Sequence, residues 1–342
     1  MSTQLKWSNI ATVAAQKGYE NNIGTAGLIK GVIGNKLIFG GGANFPGGLP
    51  VDGGVKVNHK DIYLYEETAD GVTLLDQIQF DYPLAYGPSA VYNDTLYYIA
   101  NKTETSSEIL AFTVVDNKLK VEVIDTLPLT VENVIAKVHN NKLYFGIGSI
   151  NGSNNNELYS YDLSTKKFEV FSEFPGKLRN QAVSYVYNNE LYVSSEWFDA
   201  GVGKNIQIAI HDPETLALKR SVDFNPESGQ VEVSSITVDT VHNSVWMASW
   251  VGEESGRYLY EYDLSTGKYK RKVHLQPVPQ WIQGVYAYNG DLYVTSDDGT
   301  ADEKEPDHIY RVEISDKNNE ARVVLEKTLN DIRDVGEVEG LN

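Results

Sequence analysis

One short pattern recurs along the chain and restricts what it can fold into. It is a polar turn followed at once by an alternating strand: "GNKLIFGGG", "NDTLYYIAN", "NNKLYFGIG", "NNELYVSSE", "HNSVWMASW" and "NGDLYVTSD". The aligned apolar residues are Leu37, Leu96, Leu143, Leu191, Val245 and Leu292, separated by 59, 47, 48, 54 and 47 residues. Asn, Asp and Gly ahead of such a strand mark the tight turn of a hairpin. An apolar strand such as "AVSYVY" precedes the anchor. A second pair such as "ELYSYDLSTKKFEVF" or "YLYEYDLSTGKYKRKV" follows it, with "DLST" as the polar return turn.

Each unit therefore holds four strands, and the spacing is that of kelch-type blades. The expectation is an all-β chain, a six-bladed β-propeller of four-stranded kelch-like blades. The blades fall at about 23–80, 81–128, 129–176, 177–228, 229–278 and 279–330 of a single 1–342 domain, with "DVGEVEGLN" expected either to pair with the segment around Trp7 and close the ring or to begin a further strand of a longer protein. Radial closure leaves only short edges, which answers the aggregation hazard of so many strands.

The glycine-rich run "LIFGGGANFPGG" invites a phosphate-loop reading, but no Lys-Ser/Thr follows it, and Phe45 stands where G-x-G-x-x-G needs its last glycine. The run sits where the other repeats leave their second strand. Close approach of neighbouring backbone is therefore the expected reason for these glycines.

Composition narrows the partners. Lys+Arg 29 against Asp+Glu 47 gives a formal charge of −18, a field that repels nucleic acid and anionic membrane surfaces. An absence of cysteine removes disulfides, thiolate nucleophiles and Cys-ligated zinc together. No apolar run is long enough to cross a bilayer, and the N-terminus lacks a basic start followed by an apolar core, so a cytoplasmic location is expected unless a signal peptide has been removed. The six histidines are scattered without H-E-x-x-H, no G-x-S-x-G elbow occurs, and no blade carries an S-x-D-x-G-x-x-W box.

Two motifs, "GGANFPG" at Gly41 to Gly47 and "FPGxxRxQ" at Phe174 to Gln181, are more specific. With "GTAGLIKGVIGNKLIFGGGANFPGGLPVDGGVKVNHKDIYLYE" and "TLPLTVENVIAKVHNNKLYFGIGS" they make residues 18–195 resemble the cyclically permuted mutarotase family, kelch-type propellers that act on N-acetylneuraminate. From about Trp197 the blades lose the kelch glycine pair. The resemblance implies a catalytic pair on "LYVTSDDGTADEK", where the family's glutamate falls on Asp298 and its arginine on Lys304. Charge signs are kept while both side chains change.

Propeller geometry gathers the second-strand exits and the segments leading into each blade around one mouth. The exits supply Asn44, Asn101, Ser149, Glu196, Trp250 and Asp297 or Asp298. The lead-in segments supply Asn22, Tyr86, Asn133, Arg179, Glu232 and Trp281 with Gln283. Ring opening and closing of a hemiketal needs an acid and a base, which carboxylates such as Glu196 and Asp298 provide. Arg179 offers a bidentate fork to a sugar carboxylate, Asn44, Asn101, Glu232 and Gln283 offer polar contacts, and Trp250 and Trp281 offer flat faces.

The function expected is that of a mutarotase or epimerase acting on N-acetylneuraminate or a related acidic sugar, with a small-molecule sugar as partner and no cofactor. Two alternatives stand beside it: a carbohydrate- or protein-binding propeller without catalysis, and a metal-dependent hydrolase or lactonase. For the last, "SDDGTADEKEPDH" is the candidate Ca²⁺ loop, although it lacks the D-x-[DN]-x-[DN]-G order. Trp7 and Trp246 are read as packing between blades.

Overall fold

The computed structural model describes residues 5–48, 52–173, 180–197, 207–223, 228–250, 254–297 and 306–329. Side chains at 156, 172–173, 180–186, 194–197, 207–208 and 221–223 lie outside the description. The described residues hold β-strands that pair antiparallel except for one parallel pair, a 3₁₀ turn at Ser255–Arg257 and no α-helix. Two compact units result. One comprises Ser8–Asn180 with Glu214–Leu216, the other Met1–Trp7, Gln181–Pro213 and Ala217–Asn342.

The first unit holds three sheets. Strands β1 (Ile29–Ile33), β2 (Lys36–Gly40), β5 (Asp61–Thr68) and β6 (Gly71–Gln79) form the first, with a two-residue ribbon of β3 (Ala43–Asn44) and β4 (Val57–Asn58) inserted after β2. The second is β7 (Ser89–Tyr92), β8 (Thr95–Thr103), β9 (Ser106–Val115) and β10 (Lys118–Leu127). The third is β12 (Ile135–His139), β13 (Lys142–Ile150), β14 (Ser153–Asp162) and β15 (Phe168–Glu173), with β11 (Val131–Glu132) added beside the end of β13. Ile38, Ile62 and Leu64 pack on Leu96, Leu110 and Phe112 between the first two sheets. Ile99 and Ile109 pack with Phe145 and Tyr161 between the second and third.

The second unit begins with β16 (Asn180–Tyr187), β17 (Glu190–Trp197), β18 (Gln207–His211) and β19 (Leu218–Asp223). Two further antiparallel runs follow: β20 (Ser235–Asp239), β21 (Ser244–Ala248), β22 (Tyr258–Asp263) and β23 (Tyr269–Gln276), then β24 (Ile282–Tyr288), β25 (Asp291–Ser296), β26 (His308–Glu313) and β27 (Glu320–Thr328). These two runs are joined along both borders. Outer strands β23 and β27 pair in parallel from His274↔Glu320 to Gln276↔Arg322. At the other border the β24 amides of Val285 and Ala287 donate to Ser235 Oγ (2.8 Å) and Thr237 Oγ1 (3.1 Å) on β20. Trp246, Val273, Val285, Val294 and Val323 fill the space between.

Local chemistry explains the hairpins. Asn93-Asp94, Asn140-Asn141, Asn188-Asn189 and Asn289-Gly290 all have positive φ at both positions, the conformation of a type I′ turn, which matches the right-handed twist of flanking strands. In "DLST" the Asp162 carboxylate accepts the Ser164 and Thr165 amides, and Asp263 accepts those of Ser265 and Thr266. Each third-to-fourth strand pair carries one register irregularity, which sharpens twist toward the sheet's outer edge.

The "FGGG" glycines are there for close approach. Gly41 (φ +62°) and Gly42 (φ +75°) are buried, and a Cβ on Gly41 would overlap the Leu84 carbonyl oxygen, while one on Gly42 would come within 2.6 Å of Ala26 O. Their amides are spent on backbone carbonyls: Gly41 N–H donates to Asp61 O (2.8 Å) and Gly42 N–H to Leu84 O (2.6 Å). No anion cradle remains in them.

Ions on the third strands are held in networks. Glu261, on β22, takes hydrogen bonds from Lys270 Nζ (2.6 Å), Arg271 Nε (2.6 Å) and Ser244 Oγ. Burial pushes its carboxyl up, but these donors together outweigh that and hold it below the usual carboxylate range. Arg311, on β26, reverses the signs and donates to Glu326 and Glu313 at 2.6 Å each. A groove of about 470 Å³ opens beside Glu261, Lys270, Arg271 and Asp316. Arg271 is already committed there to Glu261 and to the Ser315 and Asn318 carbonyls.

One packing expectation is corrected. Trp246 is fully buried as expected, but Trp7 is 42 % exposed. Its aromatic character suggested packing, and it has no buried position.

Candidate functional site

Arg179, Asp298 and Lys304 lie outside the described residues, as does the side chain of Glu196, whose backbone belongs to β17. The remaining nominated residues fall into two groups that behave differently.

In the first unit, Asn44 and Asn101 act as backbone clamps. Asn44 Nδ2 donates to the carbonyls of Ile23 (3.2 Å) and Gly24 (2.7 Å), which turns Oδ1 toward His59 Nε2 at 2.9 Å. That orientation assigns the proton to Nε2. His59 is buried, which lowers its pKa, with Asp61 opposing the shift. Asn101 Nδ2 donates to Val131 O (2.8 Å), and its Oδ1 accepts Val131 N–H (2.9 Å) and Ser107 Oγ (2.8 Å). The second strands also run further than the turn pattern suggested. Asn101 lies within β8, and Ser149 pairs with Glu132 in the ladder of β13 and β11 rather than standing in an exit loop. The amides of Asn44 and Asn101, polar groups at a strand end, are engaged with backbone groups of neighbouring segments.

In the second unit, Glu232 and Trp250 do meet. Glu232 is only 6 % exposed, and its carboxylate accepts the backbone N–H of Trp250. Its backbone carbonyl accepts Ser249 Oγ (3.0 Å) and Gln230 Nε2 (3.1 Å). Ser249 Oγ lies 2.9 Å from Ser255 Oγ, which in turn accepts Val231 N–H, and Tyr262 OH donates to Gln230 Oε1 (3.1 Å). A carboxylate is thereby fixed between the segment leading into β20 and the segment leaving β21. Such a network of buried hydroxyls rigidifies only where its members are satisfied. Sequence reasoning nominated Glu232 and Trp250 and did not name Gln230, Ser249 or Ser255, which the structure places beside them. For Gln230 the available signal was the polar run "SGQVEVSS" leading into β20.

Trp281 is held in the left-handed region at φ +40°, uncommon for a bulky residue. Ser296 Oγ donates to Gln280 O (2.5 Å) and Ser234 Oγ to Ile282 O (2.6 Å), so the backbone on both sides of Trp281 is pinned. Gln283 follows on β24, partly buried. Backbone strain maintained by its surroundings concentrates at functional positions, which keeps Trp281 in the candidate site. Tyr86 (φ +59°) and Asn133 (φ +53°) show the same conformation in the first unit. Among the described residues no group of three or more His, Asp or Glu is arranged to hold a metal ion.

Comparison with known proteins supplies the context. No protein-family model matches the chain. Kelch-like protein 40 of Xenopus laevis is 28% identical over 128 residues, 35% of this chain and 21% of that protein. An N-acetylneuraminate epimerase of Salmonella arizonae is 27% identical over 134 residues, 35% of this chain and 33% of that protein. The matches thus span about a fifth of the Kelch-like relative and a third of the epimerase. Among solved structures, that of YjhT aligns with a TM-score of 0.54 at 13% identity, covering 90% of this chain and 98% of that one. At that identity the likeness speaks for fold alone. The chain is nearly all-β, built of four-stranded antiparallel sheets with the fold of a kelch-type propeller, and it is weakly homologous to Kelch-like proteins and to an N-acetylneuraminate epimerase.

Proposed function

We propose that this protein binds N-acetylneuraminate or a related acidic amino sugar and interconverts its anomers by acid and base catalysis of ring opening and closing. The observation that carries the reading is the 27% identity with an N-acetylneuraminate epimerase. The Glu232 carboxylate fixed against Trp250, with strained Trp281 and Gln283 in the same unit, supports it by supplying the polar and aromatic groups a sugar requires. In this proposal Asp298, Lys304 and Glu196 carry the proton transfers and Arg179 is a substrate-binding residue.

Time-resolved proton NMR of freshly dissolved α-N-acetylneuraminate tests this directly. Acceleration of anomer exchange by wild type and its loss in Asp298→Asn is the expected result. Unchanged exchange together with an unchanged ligand spectrum would overturn the reading. A second reading, binding without turnover, is favoured by the equally strong match to Kelch-like protein 40, and its signature would be line broadening without acceleration.

A further inference from the structure

In the first unit, the segments leading into the three sheets are connected by a backbone relay. Tyr86 N–H donates to Gly27 O (2.7 Å), and Asn133 N–H donates to Tyr86 O (2.9 Å). Tyr86 therefore uses both main-chain groups while standing at φ +59°, a conformation costly for an aromatic residue unless its surroundings impose it. Gly27 makes the placement feasible. It has φ +64°, and any Cβ there would collide with the Tyr86 ring, whose Cγ would be 2.8 Å away.

The Tyr86 ring carries a cation. Lys56 Nζ lies 4.0 Å from the ring centroid. Lys56 directly precedes β4, whose partner β3 is clamped by Asn44 to the carbonyls of Ile23 and Gly24, so its stem leaves a fixed backbone. Among the described residues no carboxylate comes within ion-pair distance of its ammonium, although carboxylates outnumber Lys and Arg 47 to 29. An aromatic face attracts an ammonium without neutralising it, and the N–H donors turned away from the ring remain available to an anion.

We propose that Lys56, seated on Tyr86, is a binding residue for the carboxylate of an acidic sugar, an inference that rests on the sugar reading above. The strained Tyr86 serves as a positioning residue. It fixes the ammonium beside the segments leading into the sheets, where sequence geometry places a ligand.

The test compares N-acetylneuraminate with its methyl ester, which keeps the sugar and removes the charge. Titration calorimetry on wild type, Lys56→Met and Lys56→Arg gives the affinities, with circular dichroism verifying that each exposed-site variant folds. Wild type should prefer the acid. Lys56→Met should weaken acid binding by about ten-fold or more and leave the ester unchanged, since one lost ion contact of this kind is worth about a factor of ten. Lys56→Arg should restore most of the preference. A Lys56→Met protein that still prefers the acid as wild type does would overturn the inference and leave the sugar reading standing. Failure of wild type to bind either compound would overturn both.

Discussion

Gly41→Ala separates two costs that usually arrive together. Gly41 and Gly24 share the same φ of +62°, so alanine meets the same left-handed penalty at both, about 1–2 kcal/mol. Their surroundings differ. A Cβ on Gly24 has nothing within 4 Å, whereas one on Gly41 overlaps the Leu84 carbonyl oxygen, with the carbonyl carbon at 3.2 Å. That oxygen already accepts Gly42 N–H at 2.6 Å, and pushing it aside breaks a buried hydrogen bond. Leaving that donor and acceptor unpaired adds about 1–3 kcal/mol. The expected totals are about 2–5 kcal/mol for Gly41→Ala and about 1–2 kcal/mol for Gly24→Ala. Urea unfolding followed by far-UV circular dichroism reads the difference. With a slope of about 2 kcal/mol per molar, the Gly41 midpoint should drop by about 1–2.5 M and the Gly24 midpoint by about 0.5–1 M. Equal drops would refute the argument that backbone crowding dictates this glycine run.

Asn101→Ala should lower stability by about 2–4 kcal/mol, because three hydrogen bonds to Val131 and Ser107 are lost together, and a thermal melt unchanged within error would contradict this scaffold role. Glu261 has a folded pKa below its unfolded value of about 4.5, so its contribution is full above that value and is lost as pH falls through the lower folded one. Acid titration of stability should therefore be shallower in Glu261→Gln than in wild type, and parallel curves would contradict the assignment. The same substitution leaves Lys270 and Arg271 without their shared carboxylate, which should cost about 3–5 kcal/mol at neutral pH. Replacing Ser235 and Thr237 together by Ala and Val should speed hydrogen exchange at the amides of Val285 and Ala287, whose acceptors those hydroxyls are. Slow exchange in the double variant would show that another group covers that border.

Much of the architecture was legible because it is written in local chemistry. Asn93-Asp94 and Asn289-Gly290 choose their turn from side-chain and backbone preferences that need no distant partner, and the period-two pattern after each turn fixes which face is buried. Leu96, Leu143, Leu191, Val245 and Leu292 are accordingly buried where the repeat placed them. That Glu232 and Trp250 meet has a related reason, since both stand at ends that a four-stranded repeat brings together.

The rest was set by contacts between residues far apart in the chain. Nothing in "VHLQP" or "NEARVV" announces that β23 and β27 pair in parallel, because an unpaired outer edge reads the same whatever comes to lie beside it. Asn44 and Asn101 looked like ligands because an amide at a strand end has the same composition whether it faces a sugar or a backbone carbonyl. Tyr86 was placed among the lead-in segments, but nothing announced that Lys56, 30 positions away, would be seated on its ring. The sequence alone determined the repeating strand unit and its turns. Which polar groups are consumed by the scaffold and which are left for a ligand was decided only by the tertiary structure, since a hydrogen bond is satisfied by whatever group folding brings within reach.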